Sequence, residues 1–184
     1  RIAVAFFGDG AANEGVFHES LNLAAVWRLP VVFVCENNLY GFSTHYRRVT
    51  AVENIADRAA AYGMPGQAVD GMDPEAVYEA AGKAADRARR GDGPALLECK
   101  TYRFRGHSRF EPAGYRTPAE LEEWRKKDPL PAWRKRLLEE WRTSEEELAA
   151  IESEAAREVE EAVAFAEASP DPQPQDYRRY IYAE

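Results

Sequence analysis

The sequence predicts an α/β domain: a largely parallel sheet with helices on both faces, followed by a helical C-terminal extension. Three observations predict it. Residues 31–35 (VVFVC) form a β-branched apolar run without polar alternation, the kind found in the buried strands of parallel sheets. Residues 2–7 (IAVAFF), a helical segment and VVFVC follow one another within some thirty-five residues, which makes one βαβ unit. Strands and helices then keep alternating as far as residue 102.

Each element has its own signal. Residues 2–7 read as a short buried strand by apolar continuity, and residues 14–27 as a helix closed by Pro30. Thr50-Ala51-Val52-Glu53 has the form of a capping box opening a helix that Gly63 ends. A third short strand is expected near residues 67–69. Asp73-Pro74 supplies an N-cap and a first-turn proline for a helix to about Arg90, which Gly91-Asp92-Gly93-Pro94 breaks. Residues 95–102 form the fourth strand.

After Arg103 the composition changes. FRGHSRFEPAGYR holds two glycines and three arginines without period, so it reads as a long loop, and loops of that length usually carry function or are disordered. Thr117-Pro118-Ala119-Glu120 is a second capping box. A helical segment lies around residues 133–141, and a long Glu/Ala/Arg-rich helix over 144–168 has the charge pattern of a solvated face. SPDPQPQD stops it, and residues 177–182 (YRRYIY) form an aromatic tail. We find no internal repeat. The expected division is 1–116 for the α/β domain and 117–184 for the extension and tail.

The 184 residues, 45% of them hydrophobic, suit one domain with a real core. The net charge of −8 argues against nucleic acid or an anionic membrane surface as main partner, since both recruit basic patches. Cys35 and Cys99 each end an apolar run and read as reduced core thiols, which fits a cytoplasmic compartment. No apolar run approaches the ~20 residues of a spanning helix. The chain lacks an initiator Met and enters a strand-like run at once, so it is expected to be a fragment of something longer.

The chemistry concentrates at two strand ends. In an open parallel sheet, ligands sit beyond the carboxyl ends of the strands, where a helix N-terminus favours anions. Gly8-Asp9-Gly10 occupies the loop after the first strand. A dinucleotide fingerprint is the nearest rival, but its third glycine falls on Asn13 and its middle position is an acid. A carboxylate beside a bare pyrophosphate is repelled; a divalent cation between them makes the arrangement favourable. Mg²⁺ takes oxygen ligands, commonly a few protein groups with water and phosphate. Glu36-Asn37-Asn38-Leu39-Tyr40-Gly41, directly after VVFVC, offers an amide oxygen and a peptide carbonyl. Neighbouring strands lie ~4.8 Å apart, so the two loops face each other if their strands are adjacent.

GDG followed by NN at this distance is the thiamine diphosphate motif. Together with GDGAANEG, LNLAA, LPVVFVCENNLYG, VDGMD and TYRFRGHSRFEP, it makes the chain resemble, over nearly all its length, the alpha subunit of the decarboxylating component of 2-oxo acid dehydrogenase complexes, in its second half. The resemblance implies a thiamine diphosphate-binding fold. It implies Asp9, Asn38 and the carbonyl of Tyr40 as Mg²⁺ ligands, Gly10 and Ala11 as backbone holding the diphosphate, and His107 as a loop histidine that reaches the cofactor and steadies the acylated intermediate. Ser108 matches a phosphorylation position of mitochondrial relatives.

The implied partners are a beta subunit (two alpha with two beta), a lipoyl domain of the acyltransferase and a small 2-oxo acid. Asp9 stands where branched-chain relatives carry Glu, and Gly106 where they carry a second His, so pyruvate or acetoin is favoured as substrate. Arg105 and Phe110 depart from the mitochondrial pattern of His and Ser. His18 and His45 read as surface or packing residues. For Arg103, Arg105 and Arg109 two roles stay open: clamping a diphosphate, or pairing with the acidic helices. Two other functions also stay open: an NAD-binding oxidoreductase using Gly8, Gly10 and Glu36, and a non-catalytic interaction piece using the long helix and aromatic tail. The fragment alone is expected to have no turnover.

Overall fold

The computed structural model describes residues 1–174, 176 and 181; the predicted aromatic tail falls, apart from Ile181, outside the described residues. The chain divides into two compact units, Arg1–Trp133 and Arg134–Glu184.

Unit 1 is built on a four-stranded, all-parallel sheet. Its strands are β1 (Ala3–Gly8), β2 (Val31–Asn37), β5 (Gly66–Asp70) and β6 (Ala95–Lys100), in the spatial order β1-β2-β6-β5. A separate two-stranded hairpin, β3 (Tyr40–Gly41) with β4 (Thr44–His45), follows β2. The helices are α1 (Gly15–Val26), α2 (Pro74–Arg89), α3 (Pro118–Arg125) and the start of α4 (Pro129–Glu139), with 3-10 segments at Ala11–Asn13, Tyr46–Arg48 and Ile55–Tyr62.

The two-residue alternation of the central strands feeds two cores. Phe33 and Cys35 of β2 and Leu96 of β6 point to one face, where Phe17, Leu21 and Ala24 of α1 and Ile55 and Ala59 of the 3-10 segment cover them. Val32 and Val34 of β2 and Leu97 and Cys99 of β6 point to the other, against Ala80 and Ala88 of α2. Both cysteines are buried free thiols. Burial pushes each thiol's pKa upward, which keeps it in the unreactive protonated form.

Three sequence expectations need correction. Apolar continuity in residues 2–7 does not mean burial here, because β1 is an edge strand: Phe6 is 68% and Val4 47% exposed. The helix expected from Thr50 starts later, as the 3-10 segment from Ile55; its capping box is Asn54 with Asp57, while Thr50 is buried with its hydroxyl unpartnered. Gly63 does end it, at φ +67°. At α3 only half of the expected box forms. Thr117 Oγ1 accepts from the Glu120 N–H at 3.1 Å, but the Glu120 carboxylate instead accepts from the phenols of Tyr40 (2.9 Å) and Tyr102 (3.2 Å).

Other local signals act as read. Asp73 accepts from the N–H groups of Glu75 and Ala76, with Pro74 in the first turn of α2. In unit 2, α5 (Glu145–Ala168) opens on a complete Ser144/Glu147 box and carries exposed ion pairs, among them Arg157 with Glu154 and Glu161. Among the described residues, no helix is long and apolar enough to cross a membrane.

The packing of β5 on the 3-10 segment is tight enough to test. A Cβ on Gly66 would lie 2.0 Å from the Ala56 carbonyl oxygen, whereas one on Gly82, exposed in α2, meets nothing within 4 Å. Gly66→Ala is expected to cost about 3 kcal/mol or more, and Gly82→Ala to gain about 0.5–1 kcal/mol. Chemical denaturation reports both; equal midpoints would contradict this packing.

Candidate cation and anion site at the β1 and β2 ends

Parallel pairing of β1 with β2 sets Gly8 opposite Glu36, so the loops that follow leave the sheet side by side. They meet backbone to backbone. A Cβ on Gly41 would stand 3.2 Å from Gly10 Cα and 3.6 Å from Asp9 Oδ2, so only glycine permits this approach without displacement.

Asp9 is 2% exposed, and its Oδ2 has no hydrogen-bond partner. Burial raises its pKa above the usual carboxylate value. The backbone N–H groups of Asp9 and Asn38, and the charges of Arg103 and His45, partly offset that. A buried carboxylate oxygen left unpaired is costly unless a cation or donor completes it.

The β2 loop is shaped residue by residue. Asn37 Oδ1 accepts from Leu39 N–H at 3.0 Å and Asn38 Oδ1 from Tyr40 N–H at 3.4 Å; Leu39 has φ +75° and Phe42, in the β3–β4 turn, φ +56°. Arg103 spans the result. Its Nη1 donates to Asn38 Oδ1 (3.3 Å) and to the Tyr40 carbonyl (3.1 Å), its Nη2 to the Phe42 carbonyl (2.8 Å) and Tyr115 Oη (2.9 Å). Two of the oxygens singled out by sequence thus converge on one guanidinium nitrogen. A carbonyl or amide oxygen has two lone pairs: the Tyr40 carbonyl keeps one for a second partner, whereas Asn38 Oδ1 already accepts twice, from Tyr40 N–H and from Arg103, so a cation there would take the place of one of these two long bonds.

The structure brings Asp9, Gly10, Asn38, Tyr40 and Arg103 together. Ala11 begins the 3-10 turn behind Gly10, and α1 then starts without a side-chain cap, leaving first-turn N–H groups for an anion. His107 is exposed in the loop after β6 and lies edge-on to Phe42, ring centroids 4.9 Å apart; its N–H donates to Glu111 Oε2 at 2.6 Å. Ser108 is exposed beside it, its carbonyl accepting from Glu111 N–H. Arg116 donates to the carbonyls of Arg103 and Arg105, holding the loop's start.

Among the arginines left open by sequence, Arg103 binds the carbonyls and amide of the β2 loop and the Tyr115 hydroxyl. Arg109 lies over the Phe110 ring. His45 stacks on Tyr46 and meets the Tyr40 ring edge-on, and burial lowers its pKa; His18 is exposed and bonds Tyr62 Oη. Asn13, the misfit of the dinucleotide fingerprint, accepts from Arg58. Sequence reading missed Tyr115, Glu120 and Glu98. An acid inside the apolar run ALLEC was the available signal for the last.

The donor set is one carboxylate, one amide and one peptide carbonyl, all hard oxygens that suit Mg²⁺. Among the described residues no cluster of three or more His, Cys, Asp or Glu assembles elsewhere to hold a metal. Ionised Asp9 destabilises the metal-free fold above its native pKa; the cost disappears below the unfolded value of 3.8, where both states carry the proton. Asp9→Asn is therefore expected to raise the melting temperature of metal-free protein by a few °C at pH 7, with the gain vanishing in acid. An unchanged or lower melting temperature at pH 7 would contradict it.

Comparison with known proteins gives the chain's family. The family model described as "Dehydrogenase E1 component" matches residues 1–175. The alpha subunit of acetoin:2,6-dichlorophenolindophenol oxidoreductase from Bacillus subtilis is 49% identical over 99% of this chain and 54% of its own length. The pyruvate dehydrogenase E1 component subunit alpha of Porphyra purpurea is 42% identical over 100% of this chain and 54% of its own. The 2-oxoisovalerate dehydrogenase subunit alpha of Bacillus subtilis is 45% identical over 96% and 54%. The chain spans about half the length of these relatives. With a match along nearly all its residues, and a parallel α/β sheet beneath it, the chain belongs to the dehydrogenase E1 component family.

Proposed function

We propose that this chain anchors thiamine diphosphate through Mg²⁺ in the alpha subunit of a 2-oxo acid dehydrogenase, with pyruvate as substrate. The single observation carrying this reading is the unpartnered, buried Asp9 Oδ2 where the Gly10 and Gly41 loops touch, next to Asn38 and the Tyr40 carbonyl. Asp9, Asn38 Oδ1 and the Tyr40 carbonyl would hold the cation. The backbone N–H groups of Gly10 and Ala11 and the uncapped start of α1 would face the diphosphate.

When bound, thiamine diphosphate supplies the nucleophilic carbon and the electron sink for decarboxylation. The chain's own residues bind, orient and exclude water. Asp9 neutralises part of the cation's charge from a site with little solvent; Arg103 adds a fixed positive charge nearby, favourable to an anionic cofactor. His107, on an exposed loop, is suited to give or take a proton as an acyl group passes to a lipoyl domain. We further propose a beta subunit, two alpha with two beta, as the partner completing the active site, and a cytoplasmic setting. Asp9 and Gly106, through the family resemblance, favour pyruvate or acetoin over a branched substrate, and of these two pyruvate is proposed.

The test is calorimetry on the full-length subunit assembled with its partner. Thiamine diphosphate should bind only with Mg²⁺, and Asp9→Ala or Asn38→Ala should weaken that binding by ~100-fold or more. NAD binding without metal, or thiamine diphosphate binding indifferent to Asp9, would overturn the reading. His107→Ala is expected to leave cofactor affinity within a few-fold of wild type and to slow acyl transfer ~10²–10⁴-fold; an equal loss of cofactor binding would contradict its separate role.

A further inference from the structure

We propose that Glu98, buried in the sheet, is a positioning residue for the cation site. It fixes which way round the Asn37 amide lies, and so the shape of the turn that presents Asn38 and Tyr40. The inference rests on the cation reading above.

Glu98 lies on β6, is 0% exposed, and sits among the buried apolar residues Leu96, Leu97 and Cys99. An acid there is expensive to desolvate, and an apolar residue would suit the strand better. Both its oxygens are taken by uncharged donors. Oε1 accepts from Asn37 Nδ2 at 2.7 Å, and Oε2 from the Ala56 N–H, in the first turn of the 3-10 segment, at 2.9 Å.

A carboxylate only accepts, whereas an amide presents a donor at one end and an acceptor at the other. Asn37, itself 0% exposed, must therefore turn its NH₂ to Glu98. Its Oδ1 is left facing the Leu39 N–H, which it meets at 3.0 Å. That bond closes a turn in which Leu39 holds φ +75°, a conformation a leucine adopts only when its surroundings require it. The next groups along are the candidate ligands: Asn38 Oδ1, and the Tyr40 carbonyl that shares Arg103 Nη1 with it. With the amide reversed, Asn37 NH₂ would oppose the Leu39 N–H, donor against donor, and the turn would open. Register keeps the two residues in reach, because β2 and β6 pair with Cys35 opposite Glu98 and Asn37 opposite Lys100.

The simpler role for Glu98 is to cap the 3-10 segment at Ala56. The two are separated by Mn²⁺ binding, read from the electron paramagnetic resonance of the free ion, in the full-length assembled protein with thiamine diphosphate. Wild type should bind and Asp9→Ala should not; the reverse overturns the cation reading and this inference with it. Glu98→Gln keeps the size but must turn an NH₂ toward either Asn37 or Ala56. It should weaken Mn²⁺ binding ~10–100-fold, the range for outer-sphere partners of metal ligands. Asn37→Ala, which keeps the Ala56 bond, should do the same, and the double variant should be no weaker than Asn37→Ala. Wild-type affinity in Asn37→Ala overturns the proposal, even should Glu98→Gln fail to assemble. So does a Glu98→Gln protein that melts earlier yet binds Mn²⁺ as wild type does, because that is the capping role alone.

Discussion

Adjacency of two parallel strands governs everything at the site. Because β1 and β2 pair with Gly8 opposite Glu36, the two loops emerge on the same side and close enough for Gly10 and Gly41 to touch. That contact encloses Asp9 in a place where a carboxylate is poorly solvated. A fold seeking only stability would not bury an acid with a free oxygen; the cost makes sense if a cation completes it.

Around that point, long-range side chains set the shape that local propensity does not. Arg103 and Tyr115 come from the loop after β6, and Glu120 from α3, whose carboxylate draws the Tyr40 phenol toward it. The hydrogen bond to Glu120, after burial, contributes to pushing the Tyr40 phenol up to about 12, so it stays a neutral donor across the working pH range. Tyr102 stacks on Trp124 at 5.0 Å, nearly parallel, and Arg116 ties the loop's backbone to itself. The loop carrying His107 is thus held at its base while its tip, at His107 and Ser108, remains exposed.

Much of this architecture was legible because its signals are local or periodic. VVFVC marks a buried central strand, Asp73-Pro74 opens α2, Ser144 and Glu147 open α5, and Gly63 closes the 3-10 segment. Asp9 stands out by its own chemistry, an acid between two glycines at a strand end that points to a cation, whereas Asn38 over Asn37, and the Tyr40 carbonyl, follow from the resemblance to the thiamine diphosphate motif. The misreadings share a cause: tertiary competition. Glu120 looks like half of a capping box until two tyrosines from elsewhere claim its carboxylate. IAVAFF looks buried because apolarity along a strand does not reveal which strands flank it. Arg103 and Glu98 could not be assigned from sequence, since each acts on a loop more than fifty residues away in the chain.

The central claim is that Asp9, Asn38 and Tyr40 share one ion. Its most direct test is a crystal of the full-length assembly grown with Mn²⁺ and thiamine diphosphate, with the ion located by its anomalous scattering. The account predicts one peak about 2.1 Å from an Asp9 carboxylate oxygen, Asn38 Oδ1 and the Tyr40 carbonyl. A peak elsewhere, or one that Asp9 does not touch, would contradict it.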